Sequence, residues 1–150
     1  MILISACLTG AQVRYDGSHK LDRRLRQLVE EGKAISACPE VLGGLSTPRD
    51  PAEIVGGDGN DVWTGQAQVR TIRGEDVTAQ YKAGALQTLR MVQELNCDTV
   101  ILKSKSPSCG SIEIYDGTFT GSKKVGNGVV TALLKQYDIK VYDEISFFKR

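Results

Sequence analysis

Short apolar runs alternate along this chain with stretches of helical periodicity, and that alternation constrains the fold more than any other feature. MILISA at 1–6, AISA at 34–37, TVILK at 99–103 and KVY at 140–142 are too short for buried helices and rich in small or β-branched residues, as buried strands are. Between the first two, Leu21, Leu25, Leu28 and Val29 recur at helical spacing, and Gly32 stands where such a helix stops. A longer helix is predicted from a cap at Asp76 through Val77, Tyr81, Ala85, Leu86, Leu89, Val92 and Leu95 to Asn96, and a last one from a cap at Asn127 through Val130, Leu133, Leu134 and Tyr137. Alternation at these lengths predicts one α/β domain over residues 1–150, a mostly parallel, Rossmann-like sheet with flanking helices and right-handed crossovers. With 150 residues, 41% hydrophobic and 25% charged, a single core suffices.

Residues 38–65 carry three of the four prolines and many glycines, so no long regular element fits there. Val41, Leu42, Leu45, Ile54, Val55 and Trp63 predict a packed loop rather than disorder, and loops of this length in compact domains tend to be functional. Residues 66–72 alternate as an edge strand, expected to pair in a hairpin with residues 62–63. Residues 112–115 are expected to be extended and to lead into a turn rich in lysine and glycine. GGDGN at 56–60 reads as a turn, because a phosphate loop requires a strand–loop–helix context and a terminal GK[ST].

Lys and Arg total 19 against 18 Asp and Glu, so no bulk field recruits nucleic acid or an anionic membrane, and any anion site must be local. No apolar run approaches the roughly 20 residues that cross a bilayer. The start lacks the basic region and apolar length of a signal peptide, which predicts a cytoplasmic protein with reduced cysteines.

The placement of those cysteines is informative. Cys7 follows the first strand, Cys38 follows the second, and Cys109 lies in the loop SKSPSCGS after TVILK. The carboxyl ends of strands form the ligand rim of an open parallel sheet, so three thiols can converge there. Cys97 precedes its strand and is expected at the opposite edge, a bystander. Three soft ligands suit an iron–sulfur cluster with one iron left open or a zinc with an exchangeable position, although free cysteine is also an ordinary buried residue. His19, the only histidine, sits between Ser18 and Lys20 as a solvated residue would. Arg14, Arg49, Lys103 and Lys105, with the hydroxyls of SKSPSCGS, bring anion-handling groups to the same rim.

Read together, SACLTG at 5–10, QVRYDG at 12–17, CPEVLGGLSTPRDPAEI at 38–54 and LKSKSPSCG at 102–110 resemble the signature blocks of the thiouracil desulfidase (TudS) family. The resemblance spans nearly the whole chain, and the blocks carry the three cysteines in the family's order; Thr9 departs from the family's usual small or apolar residue without touching any role. It implies a [4Fe-4S] cluster held by Cys7, Cys38 and Cys109, with one iron not ligated by protein. At that iron the thiocarbonyl sulfur of a thiolated pyrimidine would be polarised as on a Lewis acid. Non-redox exchange of sulfur for oxygen then yields the oxo-pyrimidine and hydrogen sulfide. Glu40 is the expected general base and acid, Ser106 a hydrogen-bonding or proton-relaying group, and Glu53 a carboxylate bonded to loop backbone. Arg14, Arg49, Lys105 and Ser108 are the expected substrate contacts. The substrate is a small molecule, either a free base such as 2- or 4-thiouracil or thiouridine monophosphate. A contrasting reading is a non-catalytic metal or redox-sensing domain in which the same thiols hold zinc or a labile cluster.

Overall fold

The computed structural model describes residues 1–149. Its central sheet is formed by β1 (Ile2–Ser5), β2 (Ala34–Ala37), β5 (Thr99–Leu102) and β8 (Lys140–Asp143), all parallel, in the order β2-β1-β5-β8. The register pairs Ile4 with Ser36 on one side and with Ile101 on the other. The chain moves outward from β1 in one direction to reach β2 and in the other to reach β5 and β8, so the switch point lies between β1 and β5.

The two-residue period of the strands divides the core. Leu3, Val100 and Leu102 join one cluster with Leu89, Val92, Val130 and Leu134 of α4 (Thr78–Glu94) and α5 (Val129–Gln136). Ile4 and Ile101 join the other, with Leu25 of α1 (Arg23–Glu30) and Phe147 of a closing 3₁₀ turn, Ser146–Lys149. Asp22 caps α1 by accepting the Arg24 N–H, and Asp76 accepts the Thr78 N–H at the start of α4, each satisfying an orphan donor. Asn96 and Gly32 take the left-handed conformation that ends the helices before them. Among the described residues no helix is long and apolar enough to cross a membrane.

The middle of the chain departs from the sequence reading in four places. The strand β4 (Gln68–Thr71) pairs antiparallel with β3 (Ala52–Val55), and residues 62–63 lie instead in the short helix α3 (Gly59–Thr64). GGDGN therefore does join a strand to a helix, but Asp58 fills the helix start with a capping box, accepting from Asn60 and Asp61 N–H groups. The residue preceding α5 is Gly128; Asn127 does not cap it and accepts from Lys135 Nζ through its side chain. The expected lysine-rich turn contains a strand, β7 (Lys123–Val125), which pairs with β6 (Glu113–Tyr115).

The one-turn helix α2 (Pro39–Leu42), directly after Cys38, rests on α4 through two glycines. A Cβ at Gly84 would collide with the Pro39 carbonyl oxygen, and one at Gly43 with the Gln80 carbonyl oxygen. Gly84→Ala is expected to push α2 away from α4 and cost about 1–3 kcal/mol, the usual range for overpacking, measured as a lowered urea midpoint with an unchanged m-value.

Candidate active site

Three loops at the carboxyl rim of the sheet carry Cys7, Cys38 and Cys109 to one cavity of about 290 Å³. Cys7 lies in a 3₁₀ turn, Ala6–Thr9, pinned from outside by Lys20 N–H on the Cys7 carbonyl and Asp22 N–H on the Leu8 carbonyl. Cys38 is the residue before α2, and its carbonyl accepts the Leu42 N–H. The loop of Cys109 is held by the start of α5: Val129 N–H bonds the Pro107 carbonyl, Val130 N–H that of Ser108, Gly128 N–H that of Gly110, and Thr131 Oγ1 donates to that of Cys109. Gly128 allows this approach, since a Cβ there would strike the Ser108 carbonyl.

All four cysteines are free. Cys97 lies outside the cavity lining, buried in the core between α4 and β5. Burial is the largest influence on the other three and disfavours their thiolates. It pushes Cys7 up to about 12, with Cys38 beside it adding to the rise, and Lys103 and Arg14 opposing it. Cys38 is raised by burial and then by Glu40. Cys109 is raised furthest, by burial and then by Glu40, Cys38 and Cys7. Three thiols near enough to oppose one another's ionisation become thiolates together only with a strongly cationic partner among them. No group of three or more His, Cys, Asp or Glu side chains among the described residues is placed to hold a single metal ion. Three free cysteines that line one cavity are a soft donor set, of the kind that holds an iron–sulfur cluster.

Glu40 lines the same cavity, and both its partners hold one oxygen. Arg49 Nη2 donates to Oε2 at 2.7 Å and the Tyr81 hydroxyl donates to it at 3.3 Å, while Oε1 has no protein partner among the described residues. Arg49 lines the cavity too, but its Nη1 donates to the Ser46 carbonyl and Thr47 Oγ1, and its Nε is buried without a partner. Its side chain is 9% exposed. Burial and the charge of Glu40 push the Tyr81 hydroxyl well above its ordinary range, keeping it a neutral donor.

Ser106 lines the cavity and accepts the Cys109 N–H through Oγ at 2.6 Å. Lys105 and Arg14 line it as well; Arg14 is only weakly engaged, with Ser18 Oγ at 3.4 Å and the Tyr15 ring beneath its guanidinium. Ser108 does not line the cavity: it is 1% exposed, with a hydroxyl that meets no partner. Lys103 is committed to an ion pair with Glu144 at 3.1 Å. Glu53 borders the cavity and accepts the Gly117 and Phe119 N–H groups, bracing the turn that follows β6. His19 lies outside the lining and accepts the Leu21 N–H through Nδ1.

Sequence reasoning missed Tyr81 and Ser5. Tyr81 sits at a regular apolar position of α4, where its periodicity marks it as core, and Ser5 reads as an ordinary residue of the first strand. The signal available for both was a polar tip at a position that the fold buries.

The family model described as 2-thiouracil desulfurase matches residues 2–145 of the chain. A Bacillus subtilis (strain 168) protein named uncharacterized protein YbbK is 56% identical over 144 residues, which are 96% of this chain and 95% of that one. Among solved structures, a [4Fe-4S]-dependent thiouracil desulfidase, TudS, is 42% identical and superimposes with a TM-score of 0.87 over 99% of this chain and 93% of its own. A family model that spans almost the full length, joined to a shared fold at this identity, leads to one conclusion: the chain belongs to the 2-thiouracil desulfurase family.

Proposed function

We propose that this protein is a [4Fe-4S]-dependent enzyme that replaces the sulfur of a thiolated pyrimidine with oxygen and releases hydrogen sulfide without net redox change. The observation that carries this reading is the convergence of Cys7, Cys38 and Cys109 on one cavity beside a carboxylate with a free oxygen. Cys7, Cys38 and Cys109 are the residues that would hold the cluster, three thiolates for a cluster of four irons. When bound, the cluster supplies a soft Lewis acid for a thiocarbonyl sulfur.

The chain's own residues do the rest. Arg49 and Tyr81 fix Glu40 through Oε2, so Oε1 is the atom that accepts a proton from the attacking water and returns it to the departing sulfur. Ser106 uses an oxygen lone pair on the Cys109 N–H, which leaves its own proton to donate to the pyrimidine. Arg14 and Lys105 are the basic cavity residues left to meet a phosphate if the substrate is thiouridine monophosphate; Arg49 serves Glu40 instead. Ser108 acts from beneath the wall, shaping the Cys109 loop. A cavity of about 290 Å³ suits a small molecule rather than a polymer.

Anaerobic reconstitution followed by assay of sulfide release from 2-thiouracil, 4-thiouracil and their nucleotides tests the reading. A protein that takes up iron and releases no sulfide from any of them is a metal or redox sensor, and the enzymatic reading fails. Replacing Cys7, Cys38 or Cys109 by Ser is expected to lower iron content and turnover together, since a serine hydroxyl is a far poorer ligand than a thiolate. Cys97→Ser should retain both.

Glu40→Gln keeps the shape and removes the proton-transferring oxygen, so iron uptake should persist while kcat falls by about 10²–10⁴-fold. Near-normal turnover in that variant would remove Glu40 from proton transfer.

Neutralising Arg14 or Lys105 should raise KM for the monophosphate more than for the free base, the kinetic form of lost uniform binding. Equal effects on both substrates would assign these charges to structure.

A further inference from the structure

Ser5 is the last residue of β1 and stands at the switch point of the sheet, 3% exposed. The β1–β5 pairing ends with Ile4 opposite Ile101, so the Lys103 N–H lies beyond the end of the ladder. Ser5 Oγ accepts that N–H at 3.0 Å, supplying what a further strand carbonyl would have supplied. This commits one side of the hydroxyl and orients the other. Its single proton is directed to Cys109 Sγ at 3.8 Å, within the longer reach of hydrogen bonds to sulfur. A buried hydroxyl is costly unless bonded, and here the oxygen accepts from Lys103 while the proton is left for the Cys109 sulfur.

We infer that Ser5, which lines the cavity, donates a hydrogen bond to the Cys109 thiolate of the cluster-loaded protein and thereby sets the electron density at the cluster, as a positioning residue that does not ligate iron. The inference rests on the cluster assignment proposed above. A donor to a ligating sulfur withdraws charge from it, favours the more negative state of the cluster and raises its reduction potential. The same withdrawal makes the irons better acceptors for a soft donor, which is how the hydroxyl would serve a reaction without net electron transfer. Because Ser5 also ties β1 to the start of the Cys109 loop, strand end and ligand are set by one atom.

The test compares wild type, Ser5→Ala and Ser5→Thr after anaerobic reconstitution, with iron counted and the midpoint potential measured by mediated titration followed by electron paramagnetic resonance. The expected result is iron uptake in all three, a potential shifted to more negative values in Ser5→Ala, and a wild-type potential in Ser5→Thr, which keeps the hydroxyl. Equal potentials in wild type and Ser5→Ala overturn the inference. Absence of iron in the wild type overturns the cluster assignment itself, a different failure. If Ser5→Ala does not load, the wild-type holoprotein still decides: its iron–cysteine stretching frequencies should shift between H2O and D2O, and frequencies that stay the same in both solvents overturn the proposed donor.

Discussion

The loop of Cys109 has no strand or helix of its own to satisfy its backbone, and the site depends on how that need is met. Its carbonyls at Pro107, Ser108 and Gly110 accept the N–H groups of Val129, Val130 and Gly128, among the donors that a helix leaves unpaired at its start. Two sets of unsatisfied groups thus cancel, and an irregular segment becomes as fixed as the helix it meets. The bond from Thr131 Oγ1 to the Cys109 carbonyl extends the clasp to the cysteine itself. In many α/β proteins such a helix start receives a phosphate. Here those donors are occupied by backbone, which leaves anion binding to side chains at the cavity.

Charge follows from this placement. Three thiols and the Glu40 carboxylate face one another across a buried space, and the nearby cations are mostly committed: Lys103 to Glu144, Arg49 to Glu40. A set of anions held this way is unfavourable alone and would become favourable around a cationic group. Burial raises all three thiols, with Cys109, the deepest, affected most.

Much of this was legible in the sequence, for definite reasons. The central strands are short, apolar and separated by helical periodicity, so each run could be placed without knowing its partner, and the position of each cysteine relative to a strand end followed. Pairing within residues 38–72 was not legible in that way. A strand of four residues such as Ala52–Val55 carries too little alternation to compete with the Pro and Gly signals around it, so the expected partner of residues 66–72 falls on the nearer residues 62–63 instead. Asn127 failed as a cap because its neighbour Gly128 meets the Cys109 loop, a long-range contact that outweighs local cap preference. Arg49 looked free to bind substrate because nothing in its own segment revealed Glu40, nine residues earlier, as its partner.

The Glu40 cluster shows why such partners matter beyond structure. A carboxylate with both oxygens bound to cations would be a poor proton acceptor, and one with neither bound would swing on its side chain. Gripping Oε2 from two sides stops rotation while leaving Oε1 open. The two grips differ in kind. Arg49 brings a fixed charge that no accessible pH removes, and Tyr81 brings a neutral donor from the core helix α4, the same helix whose Gly84 admits α2. The backbone contact that seats α2 and the hydroxyl that orients its carboxylate therefore come from neighbouring turns of one helix. Packing of α2 on α4 and aiming of Glu40 are a single geometric event, which links the contact of Gly43 and Gly84 to the oxygen that Glu40 leaves open to the cavity.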